Sequence, residues 1–362
     1  MHRLFLTVVI VLTAPAAAGP SFHTTSLPRY EAWYSSAGTL SAARLLLTAT
    51  QESQPAASSP ASAPATEPAA PATAEEALGD EEEEDSKPPW LRPFSFDMTY
   101  SLYSDYVWRG INLSEYETEG SEAPNHQLTT TLDVDLGKFF NRKADGEFGV
   151  FSFEAFFEWY AHQVDIDPVY GARNLQEVDY TLTYAYEVKP IFTTFSTGVI
   201  FYTYPKHKEI ATEEWFFRVE HNDAWMWKWL WPENEDGIVN PYVAYWQDTH
   251  LVAPGSWIQF GFSHDFEVTP SFTLTPAIDF GIEHNWLQPT LGLEGKGTNF
   301  ANVQYGLTLE YDLTELIALD KWGYGSVVLS GFLFYSDAVG NPAQNDWLND
   351  ELYGGMSVGW SF

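Results

Sequence analysis

Residues 177–188 read Glu177-Val178-Asp179-Tyr180-Thr181-Leu182-Thr183-Tyr184-Ala185-Tyr186-Glu187-Val188. Val178, Tyr180, Leu182, Tyr184, Tyr186 and Val188 recur at period two, against Glu177, Asp179, Thr181, Thr183 and Glu187. Side chains alternate across a β-strand with that period, so the ribbon has one oily face and one wet, acidic face. It is also long. Strands of soluble proteins average about five or six residues, whereas roughly ten tilted residues cross a bilayer. Length and two-facedness together point to a strand standing in a membrane.

The same alternation recurs along the chain. Phe94, Phe96, Met98, Tyr100 and Leu102 show it, as do Leu128 to Leu136, Val303 to Tyr311, and Leu352 to Phe362. Strands are expected near 94–111, 127–138, 147–162, 176–188, 191–204, 213–222, 239–249, 256–268, 271–286, 301–313, 324–336 and 351–362. Twelve is an even number, and each span is at least ten residues. Short links such as Lys189-Pro190 and Thr269-Pro270 alternate with longer polar ones such as 112–126, 163–175, 287–300 and 337–350. In hydrocarbon every backbone N–H and C=O must be satisfied within the protein, so strands can span only as a closed barrel. The expectation is all-β: a single transmembrane antiparallel up-and-down β-barrel of about twelve strands, with both ends on the periplasmic side.

The face opposite the oily one predicts the interior. It carries Asp97, Asp105, Asp133, Asp135, Glu154, Glu158, Glu177, Asp179, Glu187, Glu214, Glu220, Asp265, Asp279, Glu283, Glu310 and Asp312, opposed by Arg109 and Arg218. A dry interior could not hold so many like charges, so a wet, cation-favouring lumen is expected. Its pore-lining candidates are Asp97, Asp105, Arg109, Asp133, Asp135, Glu154, Glu158, Asp179, Glu214, Arg218, Asp279, Glu283 and Glu310. Asp133, Glu154, Arg218 and Asp279 fall near mid-height and would form a constriction. Arg218 could equally serve only to neutralise its neighbours and hold strand register. A barrel of this width is expected to leave a narrow pore, with an outer loop folding inward.

Composition divides the chain near Trp90. Residues 1–18 (basic Met1-His2-Arg3, apolar Leu4 to Leu12, small Ala16-Ala17-Ala18) read as a signal peptide. Residues 19–90 read as a low-complexity, largely disordered, acidic Pro/Ala-rich periplasmic segment, and 91–362 as the outer-membrane barrel. The chain has 50 acidic and 17 basic residues; 11 and 4 of these precede residue 90, leaving 39 and 13, a net charge of −26. Such a domain repels nucleic acid, which is excluded as a partner. There is no cysteine, hence no disulfide, thiolate metal site or cysteine nucleophile.

The first expected strand ends Ser104-Asp105-Tyr106-Val107-Trp108-Arg109-Gly110-Ile111. This resembles the opening Ser-x-Tyr-x-x-Arg-Gly-hydrophobic motif of the TorF-like porin family of outer-membrane β-barrel proteins. The closing Trp360-Ser361-Phe362 is similar to the terminal aromatic signature read by the outer-membrane barrel assembly machinery. The resemblance implies an outer-membrane barrel with channel activity; the acidic tether and Trp-rich insert depart from the pattern. Read as strand, Tyr106 and Trp108 would continue the lipid face into an aromatic girdle, Arg109 would point inward to a carboxylate, and Gly110 would let the strand leave the rim.

The function expected is passive diffusion of small, preferentially cationic or neutral solutes across the bacterial outer membrane. Outer-membrane lipids, the assembly machinery and small solutes are the expected partners. The alternatives are a non-conducting structural barrel anchoring the envelope, or a lipid-modifying enzyme. Against the enzyme, none of His126, His162, His207, His221, His250, His264 and His284 has a Ser two positions away, as a barrel hydrolase would need on one strand face. No cofactor or metal motif stands out: Glu115, Glu117, Glu119 and Glu122 match no calcium-loop spacing and read as solvated loop charge. Ala224 to Trp231 holds four tryptophans at period two. It is expected to lie along the membrane interface, with a thirteenth strand as the alternative.

Overall fold

The computed structural model describes residues 91–114, 124–140, 148–160, 175–205, 211–230, 237–287, 297–319, 325–345 and 348–362. The expected signal peptide and tether at 1–90, the loop glutamates Glu115, Glu117, Glu119 and Glu122, and His162 and His207 lie outside them.

Period-two patterning produces twelve wall strands. They are β1 (Phe94–Tyr103), β2 (Asn125–Asp135), β3 (Val150–Tyr160), β4 (Leu175–Val188), β5 (Thr193–Thr203) and β6 (Thr212–His221), then β7 (Tyr242–Asp248), β8 (Ser256–Ser263), β9 (Phe272–His284), β10 (Thr298–Asp312), β11 (Ser326–Ala338) and β12 (Glu351–Ser361). Each pairs antiparallel with its neighbours in sequence, for example from Phe94–Val134 to Tyr103–Asn125 between β1 and β2. The ring closes where β1 meets β12, with Met98 opposite Trp360 and Tyr103 opposite Gly355. The ring of twelve strands has no open edge.

The two faces of β4 show the sorting. Tyr180, Leu182, Tyr184 and Tyr186 are each about 40% exposed on the outside, while Asp179, Thr181 and Thr183 are 1% exposed within. The oily set continues around the cylinder through Leu132, Phe153, Phe217, Val243, Leu307, Leu333 and Val358.

Several expected strands are shorter than their patterns suggested, β1, β7 and β8 among them. β1 stops at Tyr103. β7 has seven residues, because Pro241 below it lacks an N–H and Asn240 takes a positive φ of 42°. β8 has eight; it breaks at His264-Asp265 and resumes as a short piece, Phe266–Thr269, still paired to β9. The break faces Pro276, whose carbonyl accepts from His264 N at 3.2 Å but which has no N–H to return.

The Trp-rich stretch is not a thirteenth strand. After α1 (Leu136–Phe139), it forms the short helix α2 (Ala224–Trp227) at the end of the barrel that carries both strand termini. Asp223 organises this turn by accepting from Trp227 Nε1 at 2.7 Å and from the backbone N–H groups of Ile238, Val239 and Asn240. Burial pushes the Asp223 carboxyl up, and these donors outweigh it, so its pKa lies below the usual carboxylate value. Trp225, Met226, Trp229 and Leu230 are exposed, as are Phe139, Phe140, Ile191, Phe192, Leu316 and Ile317 in turns at the same end.

Candidate functional site

The site begins where β1 departs from expectation. Its ladder with β2 ends at Tyr103–Asn125, and Ser104 is pinned to β12 through Gly354, N to O at 2.8 Å and Gly354 N to Ser104 Oγ at 3.0 Å. The chain then turns into the barrel as a hairpin, Val107–Trp108 paired with Ile111–Asn112. Its two tip residues, Arg109 and Gly110, have φ of 52° and 82°, the pair of positive values that a tight two-residue turn needs. A Cβ on Gly110 would also lie 3.3 Å from Leu348 Cδ1.

Tyr106 and Trp108 therefore do not join a lipid-facing girdle. Tyr106 is buried, and its hydroxyl donates to Glu177 Oε2 at 2.9 Å. Trp108 packs inside against Tyr202 and Trp286, with ring centroids 5.7 and 5.0 Å away. Their period-two phase is real; the backbone beneath them is no longer part of the wall.

The hairpin tip is gripped at Arg109. Its guanidinium donates two parallel hydrogen bonds of 2.8 Å to the two oxygens of Glu214 on β6. Four indoles surround it, with Cζ 4.7 Å from the ring centroids of Trp108 and Trp286, 5.4 Å from Trp246 and 5.5 Å from Trp257. Tyr202 Oη donates to the same Glu214 at 3.0 Å. Trp246, Trp257 and Trp286 come from β7, β8 and the residues just past β9. Glu283 fixes Trp286 by accepting from its backbone N–H at 3.0 Å and from that of Leu287 at 3.3 Å. Ile111, Ile200, Phe216, Leu287 and Leu348 complete an apolar cluster around the cage. The loop end of the barrel interior is thus packed and largely aromatic, which differs from the wet lumen expected throughout.

A second cationic knot lies further along. Arg218 on β6 donates to Glu220 Oε1 at 2.8 Å and stacks 4.1 Å over the Tyr242 ring. Tyr242 Oη in turn donates to Asp279 on β9 and accepts from Gln259 Nε2 at 2.6 Å. The structure so links Arg218 and Asp279, two of the four constriction candidates, through one tyrosine. Asp133 and Glu154 lie on β2 and β3, fully buried or nearly so, with Thr131 Oγ1 donating to Glu154 at 3.5 Å.

The remaining candidates all belong to the inner face or the hairpin. Asp105 is buried in the bend above β1, and Asp97 is half-buried on β1. Glu158 accepts from Asn125, and Asp179 accepts from Thr203 N at 3.3 Å. Asp135 caps α1 by accepting from Lys138 N at 3.1 Å. Glu310 accepts from Ser330 Oγ at 3.3 Å and borders a polar cavity with Thr99, Ser101, Gln127, Thr308 and Ser357. Among the described residues, thirteen carboxylates are buried, and the buried cations are Arg109 and Arg218.

Sequence reasoning passed over Trp246, Trp257, Trp286 and Tyr202. A signal existed for two of them: Trp246 is in phase with Ala244 and Asp248, and Trp257 with Gln259 and Ser263, the inward set of each strand.

No protein-family model matches the chain, and no curated protein matches it in sequence. Solved structures do resemble it. A KdgM porin in complex with disordered oligogalacturonate is 10% identical, covering 74% of this chain and 99% of its own, with a TM-score of 0.35. An outer-membrane channel from Pseudomonas putida F1 is 8% identical over 75% and 96%, TM-score 0.37. A NanC porin is 10% identical over 74% and 98%, TM-score 0.37. At these identities no solute or activity passes from those proteins to this chain.

Chemically, the interior offers carboxylates held by hydroxyls, amides and backbone donors, and two cations already paired. Of the described histidines, His126 bonds Tyr100 and stacks on Trp159, His221 bonds Thr193 Oγ1 at 3.0 Å and Trp225, and His284 bonds Thr298 Oγ1 at 2.7 Å and Asn285. Among the described residues, no group of three or more His, Asp and Glu is placed to hold a metal ion.

Proposed function

We propose that this protein is a porin-like barrel of the bacterial outer membrane that passes small, preferentially cationic or neutral solutes by passive diffusion. The observation that carries the reading is the sign of the interior: with Asp223 of the turn set aside, twelve buried carboxylates against two buried cations among the described residues, within a cylinder whose outside is a continuous apolar band. An acidic passage enriches cations and repels anions. Its lining would include Asp97, Asp105, Arg109, Asp133, Asp135, Glu154, Glu158, Asp179, Glu214, Arg218, Asp279, Glu283 and Glu310. The apolar band supports a lipid environment. The leader-like residues 1–18 support export, and the motif at 104–111 supports kinship with TorF-like porins.

The test is reconstitution of the purified chain in a planar bilayer under a KCl gradient. The expected result is small channels whose reversal potential lies on the K⁺ side. Anion-selective current would overturn it.

The packed hairpin favours a second reading, a non-conducting structural barrel. That reading predicts silence in the same bilayers from protein that is correctly folded, as judged by heat-modifiable migration in gels.

A further inference from the structure

We propose that the cage formed by Trp246, Trp257, Trp286 and Glu214 is a binding site for an organic cation, a guanidinium or substituted ammonium group on a small solute. Arg109 is its built-in occupant, and displacing Arg109 withdraws the 104–114 hairpin and opens the loop end of the barrel. The opening step rests on the channel reading; the cation site does not.

Three observations point the same way. The first is the donor set. Aromatic faces attract a cation through their quadrupole, and a carboxylate matches a guanidinium with two parallel hydrogen bonds. Around Arg109 there are four indoles at 4.7 to 5.5 Å and one such carboxylate at 2.8 Å. These groups recognise a cation of this shape whether or not it is tethered.

The second is where the groups come from. Glu214, Trp246 and Trp257 sit on wall strands β6, β7 and β8, and Trp286 is fixed to the end of β9 through Glu283. Trp257 has room to lie flat because Gly281 across the β8–β9 ladder has no Cβ. Only Trp108 leaves with the hairpin. The cage would remain assembled once Arg109 was gone, and a preformed site loses little affinity to ordering.

The third is what else holds the hairpin. Its polar ties to the wall include Tyr106 Oη to Glu177 Oε2 at 2.9 Å and Asn112 Nδ2 to Glu351 Oε2 at 3.2 Å. Both involve groups that water can satisfy in exchange. The apolar packing of Val107, Trp108 and Ile111 also holds the hairpin, and the grip on Arg109 is the part of that hold that a soluble cation of the same shape can contest.

The experiment uses the full chain with Arg109→Ala, the same change combined with Glu214→Gln, and ethylguanidinium as probe, with equal NaCl as the ionic-strength control. Calorimetry is expected to show ethylguanidinium binding to Arg109→Ala and loss of that binding in the double variant. In bilayers, Arg109→Ala is expected to carry more current than the unaltered chain, and ethylguanidinium to block the excess. Absence of binding by folded Arg109→Ala, or equal binding by the double variant, overturns the site. Binding with current unchanged from a conducting unaltered chain overturns the opening step. Binding with no current from either protein leaves the site standing and counts against the channel reading. If Arg109→Ala does not assemble, Arg109→Lys retains the charge without the two-pronged contact. It is expected to show intermediate current, and current equal to the unaltered chain's overturns the opening step.

Discussion

At the scale of single residues, the interior is governed by what a buried charge requires. Glu214→Gln removes the anion that faces Arg109 and leaves a guanidinium among indoles, a change expected to cost about 3–5 kcal/mol. A lowered urea midpoint for the detergent-refolded barrel would register it. Gly281→Ala places a methyl group against Trp257 and Asn302. Overpacking of this kind costs about 1–3 kcal/mol, readable in the same unfolding curve. The sequence marks Arg109 and Glu214 as inward-facing, because strand parity assigns each a face. Their pairing is another matter, since 105 residues separate them and only ring closure brings β6 opposite the hairpin. Trp246 and Trp257 carried the inward phase, but a lone indole on a polar face has no sign of its own to mark it as part of a cage.

At the scale of elements, legibility follows backbone chemistry. β4 and β10 could be read from alternation because the one register shift in each, at Gln176 and at Ala301, lies near a strand end and leaves the rest of the ladder regular. β7 starts late after Pro241 and β8 ends early opposite Pro276, each of which withholds an N–H, a local effect that side-chain alternation does not reveal. The first strand was over-extended for a different reason: residues 104–111 keep period two, and a hairpin has that period as well as a wall does. The Trp-rich turn rests on Asp223, whose carboxyl is held below the usual value. A group with a lowered folded-state pKa stabilises above its unfolded value and loses that contribution as pH falls through the folded one. Protease cleavage within 222–241 is therefore expected to rise on acidification below the ordinary carboxylate range. Asp223→Asn is expected to show raised cleavage already at neutral pH. The same turn tests the membrane reading. Trp229, 77% exposed, is expected to account for fluorescence quenched by lipids brominated near the headgroup, so Trp229→Phe lowers the quenched fraction whereas Trp286→Phe does not.

At the scale of the whole molecule, the sign of the interior is the property to probe. Glu310 borders the polar cavity beside the β1–β12 seam. Glu310→Gln is expected to move the reversal potential toward zero while leaving heat-modifiable migration intact; an unchanged potential would place the ion path elsewhere. The seam has a consequence of its own. Because Asp97–Tyr103 pairs with Gly355–Ser361, the first strand to leave the ribosome waits for the last before its hydrogen bonds are complete. Until then both strands present bare edges, and edges of that kind recruit other chains. The unclosed sheet is thus the form of this chain most exposed to wrong partners, and the final pairing is the step that removes the hazard.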